Sequence, residues 1–338
     1  MQRHATDRLL QVGFPATTRR ALAAGAVILT ISSAVALASP AGRAAPLAVP
    51  SSDPILFDSG LRCPAIRTGV GSCASPKYRS RIYLIRAVGK RPVPITSGTR
   101  NDTHPVWSPD HTRIAFIRQT APIGGPLGQP KGDAAIWVMK ADGSGAHRVS
   151  RGVTLAGWGG PTWSPDGSKI AFVGKSPDGK ALDIYVTGAN GGGPTDLTKS
   201  GDGAASDYPR WSPDGTQIVF RHVFPNGWPT TWTMSPDGSG QKPRFRGGSM
   251  YAWSPDGSKI AWVFSRGTHD EIEISSLDGT NVVEITKGST YEEPSWSPDG
   301  RQLVLVRANQ ITILNTDGTG IKQLTKRSPG RYVENPSW

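Results

Sequence analysis

Short apolar runs alternate with polar turn signals along most of this chain, and the alternation predicts β-strands. Residues 170–173 read Ile-Ala-Phe-Val, separated by two residues from the turn signal Ser-Pro-Asp-Gly at residues 164–167. Pro presets φ, Asp accepts backbone hydrogen bonds and Gly tolerates positive φ, so this signal is typical of a hairpin turn. A second apolar run follows at residues 183–186, and Asp-Gly pairs precede a last short strand in several units. The pattern predicts units of four antiparallel strands, A to D, with strand A before the Ser-Pro-Asp-Gly turn.

One Trp marks the end of strand A in every unit. These residues are Trp107, Trp163, Trp211, Trp253, Trp296 and Trp338. The intervals between successive members are 56, 48, 42, 43 and 42 residues. A period of about 40 to 45 residues is that of a four-stranded propeller blade. The sequence therefore predicts an all-β fold, a six-bladed β-propeller of four-stranded blades.

The two ends of the chain complete one unit together. No strands B, C and D follow the last Trp, whereas residues 54–57, 81–85 and 92–96 resemble those three strands. We therefore predict that residues 333–338 supply strand A of a blade whose other three strands are N-terminal. This closure would leave no open sheet edge between the first and last blades.

The repeated units W-S-P-D-G-x-x-I-A-F and D-I-Y-V resemble the WD-repeat-like propeller repeats of the TolB family over residues 54–338. His111 replaces the usual turn Gly in one unit, and Tyr251-Ala252 replaces the Pro-containing approach to Trp253. The resemblance implies a propeller that binds partners, a functional inference made by analogy. TolB itself carries an α/β domain ahead of its propeller, and we expect only the propeller part here.

The N-terminal region has the organisation of an export signal. The dipeptide Arg19-Arg20 precedes an uncharged stretch at residues 21–38 that ends in Ala-Leu-Ala. We predict a signal peptide at 1–38, a short linker at 39–53 and the propeller at 54–338. The protein would then be periplasmic, cell-wall-associated or secreted. General secretion, twin-arginine export and retention as an uncleaved anchor are all open at this stage.

Two cysteines, Cys63 and Cys73, are the only ones in the chain. Export would place them in an oxidising compartment, so we predict a disulfide between them, with two free thiols as the alternative. A bridge that closes a loop of this size stabilises by roughly 2 to 3 kcal/mol.

The net charge of +12 is spread along the chain rather than clustered. It permits attraction to anionic or carbohydrate wall polymers, although a solvated surface is the simpler interpretation. We expect no nucleic-acid partner, because no recognition motif is present, and no stable membrane span after processing. We expect a monomer whose partners are envelope or secreted proteins or peptides.

The variable connections of the units are D-to-A and B-to-C, which emerge on the same face of a propeller. Variable loops carry function, so we place partner binding on this face, at one end of the central channel. The predicted partner-binding residues are Asp102, His104, Trp158, Tyr208, Trp228, Glu292, Glu293 and Asn335. Trp158 and Trp228 lie outside the repeat pattern and either pack or stack against a ligand.

Acidic residues enter strand A in four units. Carboxylate oxygens suit calcium, so we consider one calcium ion in the channel mouth as a cofactor. Its predicted ligands are Asp207, Glu292, Glu293 and Glu334. The alternatives are ordinary surface acidity or recognition of an ammonium group of a partner. The Asp residues of the repeated turns are expected to bind backbone instead.

Catalytic motifs are missing from the sequence, which has no G-x-S-x-G, H-E-x-x-H or Walker loop. A metal-dependent polysaccharide lyase of the oligogalacturonate type resembles this chain in its repeats and uses His-bound metal. The available histidines are His104, His111, His147, His222 and His269, which fall in different structural contexts. A carbohydrate-binding propeller is the other alternative. The sequence favours an exported, noncatalytic scaffold for protein or peptide partners.

Overall fold

The computed structural model describes residues 54–61, 79–85, 91–119, 134–156, 159–201, 203–225, 227–326 and 331–338. The predicted signal peptide and linker, both cysteines and Trp158 lie outside these residues, so the predictions made for them stay predictions. Within the described segments, no helix has the length and apolar character needed to cross a membrane.

The regular secondary structure of the described residues consists of β-strands. The first seven are β1 (Ile55–Leu61), β2 (Arg81–Ile85), β3 (Val93–Pro94), β4 (Asn101–Trp107), β5 (Arg113–Gln119), β6 (Ala135–Lys140) and β7 (His147–Arg148). The next eight are β8 (Thr162–Trp163), β9 (Lys169–Lys175), β10 (Leu182–Gly188), β11 (Thr195–Asp196), β12 (Ala205–Trp211), β13 (Ile218–Val223), β14 (Thr230–Met234) and β15 (Lys242–Arg246). The last nine are β16 (Ser249–Trp253), β17 (Ile260–Ser265), β18 (Asp270–Ser275), β19 (Val283–Glu284), β20 (Tyr291–Trp296), β21 (Gln302–Arg307), β22 (Gln310–Asn315), β23 (Lys322–Gln323) and β24 (Arg331–Ser337).

These strands build an all-β propeller. Four separate sheets have four strands each, and the strands β8 to β15 form one eight-stranded sheet. The sequence predicts six separate sheets. The difference arises because β10 and β12 are joined by a parallel pairing of Leu182 with Ala205. The innermost strands contact one another in a closed ring, in the order β4, β8, β12, β16, β20, β24 and back to β4.

The two ends of the described chain meet in one sheet, in the order β24-β1-β2-β3. β24 pairs antiparallel with β1, as the predicted closure by one C-terminal and three N-terminal strands requires. Asn309, in the β21–β22 turn, also holds β24: its side-chain amide donates to the Arg331 carbonyl at 2.5 Å, and its side-chain oxygen accepts from the Val333 N–H at 3.0 Å. The last strand is therefore fixed to two neighbouring sheets.

The repeated Trp residues pack between neighbouring sheets. Five of the six are at most 9% exposed, and Trp253 is half-buried. Three donate their indole N–H to a main-chain carbonyl of the preceding inner strand, and Trp107 donates to Pro54, directly before β1. These bonds are Trp107 to Pro54 at 3.1 Å, Trp163 to Val106 at 3.3 Å, Trp253 to Arg210 at 3.4 Å and Trp296 to Ala252 at 3.0 Å. The repeated Trp residues therefore hold neighbouring sheets together.

The Ser-Pro-Asp-Gly turns are closed by a repeated hydrogen-bond arrangement. In one of them the Ser164 hydroxyl donates to Asp166 Oδ1 at 2.5 Å and accepts the Lys169 N–H at 2.9 Å. The hydrogen bonds from Ser164 and Ser168 lower the pKa of Asp166 to about 2. Asp110, Asp214, Asp256 and Asp299 accept from the Ser two residues earlier in the same way. The turn Asp residues serve the local backbone, as predicted.

Candidate functional site

One position recurs three residues before each repeated Trp, and its backbone is left-handed in five of the six units. We call these six residues the bulge positions: His104, Gly160, Tyr208, Met250, Glu293 and Asn335. The five non-glycine members all have φ between 52° and 57°. The strand register shifts beside each of these five, as in a β-bulge. Such conformations cost roughly 1 to 3 kcal/mol and cluster at functional sites.

The bulge positions line a central cavity of about 720 Å³. The residues immediately before each Trp line it as well, and we call them the inner positions: Val106, Thr162, Arg210, Ala252, Ser295 and Ser337. Residues from all six inner strands therefore face one channel. Gly160 leaves room for a neighbour, since an added Cβ would lie 2.8 Å from the Cβ of His104.

A buried carboxyl lies behind one side of the channel. Asp58, in β1, is fully buried and accepts hydrogen bonds from the Asn335 side-chain amide at 2.7 Å, the His104 N–H at 3.0 Å and the Ser80 hydroxyl at 3.1 Å. Burial raises the pKa of Asp58 to about 7, although these three hydrogen bonds oppose the shift. Asp58 thus fastens two bulge positions, His104 and Asn335, from outside the repeat pattern.

Glu293 is the acidic bulge position. Its carboxylate accepts the Asn335 N–H, which links β20 to β24. Burial raises its pKa well above the ordinary range, and repulsion from Glu334, Asp58 and Glu292 adds to the shift. This side of the channel therefore carries carboxyl groups that hold their protons more tightly than carboxyls in water do.

His104 and Arg210 bring nitrogen groups into the same cavity. Burial lowers the pKa of His104 to about 4, with a smaller contribution from the positive charge of Arg210. The imidazole is therefore neutral near pH 7, and its buried Nδ1 has no hydrogen-bond partner among the described residues. Burial also lowers the pKa of the Arg210 guanidinium, an effect that Glu293 opposes.

Two of the predicted rim residues do not face the channel. Asp102 binds Arg118 through two hydrogen bonds of 2.7 and 2.9 Å, and Asp207 binds Arg221 at 2.7 and 2.6 Å. Both carboxylates are 1% exposed and absent from the cavity lining. The prediction of Asp102 as a partner contact and of Asp207 as a metal ligand is therefore wrong, because each carboxylate is occupied by an Arg of the neighbouring strand.

The remaining predicted rim residues do line the cavity: His104, Tyr208, Glu292, Glu293, Glu334 and Asn335. The four predicted calcium ligands do not come together as a ligand set. Within the described segments, no group of three or more His, Asp or Glu side chains is arranged to hold a metal ion.

The histidines considered for a lyase are dispersed. His147 is exposed on β7, and His269 pairs with Glu271 at 3.0 Å. His222 Nδ1 lies 2.8 Å from the Ser206 hydroxyl. His104 and His111 both line the cavity, where His111 stacks on Trp107 with ring centroids 5.4 Å apart.

Trp228 lies on the β13–β14 connection and is 79% exposed. Phe224, on the same connection, is 50% exposed, and its ring centroid lies 4.5 Å from that of His222. Trp228 is therefore not packed in the core, and its ring is accessible to a ligand.

Sequence reasoning missed Asp58 and Arg210. Asp58 sits in a β1 strand far from its partners in sequence, and no local pattern marks it. Arg210 occupies an inner position that elsewhere holds Val, Thr, Ala or Ser. Alignment of the repeats on their Trp residues would have revealed this single charged exception.

Comparison with known proteins agrees with this architecture. A family model described as the TolB beta propeller domain matches residues 153–338. The crystal structure of TolB from Acinetobacter baumannii superposes with a TM-score of 0.64 at 24% identity, over 84% of this chain and 66% of that one. A chain of a nidogen/laminin complex superposes with a TM-score of 0.59 at 11% identity, over 84% of this chain and 98% of that one. Identities this low show the fold alone.

A curated relative covers less of the molecule. The protein described as uncharacterized peptidase YuxL from Bacillus subtilis (strain 168) is 29% identical over 132 residues, which are 39% of this chain and 18% of that protein. The chain thus spans less than two thirds of the length of both YuxL and the Acinetobacter TolB.

Proposed function

This chain belongs to the TolB beta-propeller family, and from that membership and the channel we propose that it is an exported, noncatalytic scaffold that binds a segment of a protein or peptide partner. The bound segment enters the central channel from the face that carries the bulge positions. We further propose that the eight-stranded sheet represents two four-stranded blades joined at Leu182 and Ala205, which makes six blades in the ring.

One observation carries the proposal: the repeat is constant where it builds the scaffold and different at every bulge position. The Trp recurs in all six units, whereas the bulge positions hold His, Gly, Tyr, Met, Glu and Asn. A purely structural ring would reuse one residue, preferably Gly, because five of the positions have positive φ. Six different residues in one ring create an asymmetric surface, and asymmetry is what recognition of a specific ligand needs.

The dimensions and chemistry of the cavity agree with this function. A volume of about 720 Å³ is within the range of ligand-binding sites. Aromatic and Pro side chains alternate in its wall with Glu, Arg and His, so it offers both apolar contact and oriented polar groups.

Export is part of the proposal. It is supported by the sequence of residues 19–38, in which a dibasic pair precedes an uncharged stretch and a small-residue site.

A carbohydrate ligand is the second candidate. It is favoured by Trp228 and Phe224, which expose large aromatic surfaces on one connection. Exposed aromatic rings stack on sugars, and the positive charge of the chain suits an anionic wall polymer. This site would lie on the β13–β14 connection and would not need the channel.

Selection from a random peptide library displayed on phage tests the proposal. Val106 lines the channel, so Val106→Trp narrows it with a bulky ring, whereas Val93→Trp places the same side chain at a residue that is 58% exposed and outside the cavity lining. We expect peptides selected on the native protein to bind Val93→Trp and to lose at least tenfold in affinity for Val106→Trp. Equal binding to both variants would place the peptide site elsewhere and contradict the proposal.

A further inference from the structure

Arg210 has no carboxylate partner among the described residues, unlike the half-buried Arg118 and Arg221. Arg118 and Arg221 each form two hydrogen bonds with one Asp, and Arg266 pairs with Glu271, Glu273 and Glu284. None of the ion pairs between described residues includes Arg210. Among the described residues, its side chain forms one hydrogen bond, from Nη1 to the carbonyl of Pro209 at 2.8 Å.

The position of Arg210 makes this unusual. It is the single charged residue among the six inner positions, and its side chain is half-buried in the channel wall. A guanidinium offers five N–H donors in a planar fork, which matches a carboxylate. Partial removal of such a group from water without an anionic partner costs free energy. A ligand that supplies an anion forms that ion pair and offsets the cost.

The groups around Arg210 leave room for an anion. Glu293, the carboxyl that acts on Arg210, holds its proton more tightly than an ordinary carboxyl, which weakens its competition for the guanidinium. His104 lines the same cavity and is neutral near pH 7, so the positive charge that faces an anion there comes from Arg210. Ser295 and Ser337, two other inner positions, add hydroxyls to the wall.

We propose that Arg210 is the anchor of an anion subsite in the channel, which binds a carboxylate of the segment that enters it. The inference rests on the proposed function and adds the chemistry of one ligand group. The carboxylate belongs either to the C-terminus of the segment or to an Asp or Glu side chain. Arg210 binds it in bidentate fashion, as Arg118 and Arg221 bind Asp102 and Asp207 within the fold.

Four short peptides separate these sources. Two carry a carboxylate: acetyl-Ala-Ala-Ala with a free C-terminus and acetyl-Ala-Asp-Ala-amide. Acetyl-Ala-Ala-Ala-amide is neutral, and Ala-Ala-Ala-amide carries only an ammonium group. Each is titrated by calorimetry into the full-length protein and its variants. Tryptophan fluorescence is recorded in parallel, because Trp107, Trp211, Trp253 and Trp296 line the cavity.

The variants isolate the guanidinium. Arg210→Met removes its charge, and Arg210→Lys keeps the charge without the fork. Arg246→Met removes the same charge from an exposed residue of β15 outside the cavity. We expect at least one carboxylate peptide to bind about tenfold more tightly than the neutral peptide. That advantage should vanish in Arg210→Met, recover in part in Arg210→Lys and persist in Arg246→Met. The better of the two carboxylate peptides then identifies the source.

Three results would overturn the anchor and leave the scaffold function standing: equal binding of neutral and carboxylate peptides, a carboxylate advantage that survives Arg210→Met, or preference for the ammonium peptide. Failure of all four peptides to bind, together with a display selection that enriches nothing, would remove both proposals. Should Arg210→Met not fold, as judged by circular dichroism, the carboxylate-to-amide comparison on the native protein still decides the question.

Discussion

Asp58 and Glu293 show how single residues set the electrostatics of the channel. Each is a carboxyl held among other acidic groups and away from water, so its neutral form is favoured. Asp58 accepts hydrogen bonds from the main chain of His104 and from the side chain of Asn335. These bonds hold β4 and β24 in place and offset part of the free-energy cost of burying the carboxyl. At the residue scale, the buried carboxyls lower the free energy of unfolding but fix the arrangement of the bulge positions.

The raised pKa of Asp58 predicts that the free energy of unfolding depends on pH. The folded protein keeps a proton on Asp58 up to about pH 7, whereas the unfolded chain releases it near the ordinary value of 3.8. The free energy of unfolding should therefore fall as pH rises from about 4 to about 7. Asp58→Asn keeps the shape and removes the titration, so its slope should be shallower by up to about 1.4 kcal/mol per pH unit. Urea unfolding at several pH values measures both slopes.

Glu293→Gln should change the slope in the same direction, because the pKa of Glu293 is also raised. Parallel stability curves for the native protein and both variants would show that neither carboxyl titrates in this window.

At the element scale, the β21–β22 turn links local strain to ring closure. Ala308 and Asn309 have φ of 47° and 64°, the left-handed values of a type I′ hairpin turn. Ala308 is exposed, so its methyl group contributes no buried apolar contact. The Asn309 side chain, in contrast, forms hydrogen bonds with the main chain of β24 at Arg331 and Val333.

The two residues should respond in opposite ways to Gly. Ala308→Gly relieves the left-handed strain and should raise the free energy of unfolding by roughly 0.5 to 1 kcal/mol. Asn309→Gly relieves the same strain but removes two hydrogen bonds to β24, so it should destabilise by about 1 kcal/mol. Thermal and urea unfolding compare the pair; destabilisation by Ala308→Gly would contradict the turn assignment.

The strand units and the closure are predictable from sequence because their causes are local and repeated. Each Ser-Pro-Asp-Gly turn carries its own hydrogen bonds, and each Trp has the same place in its unit, so the pattern alone locates them. The channel is different, because Asp58 meets His104 and Asn335 only after the ring closes. Asp102 and Asp207 look like rim acids in sequence, and only the pairing of strands shows that Arg118 and Arg221 occupy them.

At the scale of the whole molecule, the last residues of the chain complete the ring. Trp338 is 7% exposed, packs in a core with Val304 and Ile313, and donates its main-chain N–H to the Ser295 hydroxyl at 3.3 Å. Closure depends on this contact, since β24 is the inner strand of the sheet that joins the two ends.

Trp338→Ala should therefore cost about 3 to 5 kcal/mol of unfolding free energy, the range for truncating a buried aromatic side chain. Trp228→Ala is the matched control: it removes a Trp that is 79% exposed and should change stability by less than about 0.5 kcal/mol. Denaturant unfolding followed by circular dichroism compares the two. Equal losses would mean that the closing sheet contributes no more than a surface loop.

Hydrogen–deuterium exchange of the full-length protein, with and without a peptide selected on it, tests the central claim most directly. We expect slower exchange on binding at the bulge and inner positions of β4, β12, β20 and β24, and unchanged exchange in the outer strands β7, β15 and β19. Protection confined to the outer strands or to the β13–β14 connection, with the inner strands unchanged, would contradict a binding site in the channel.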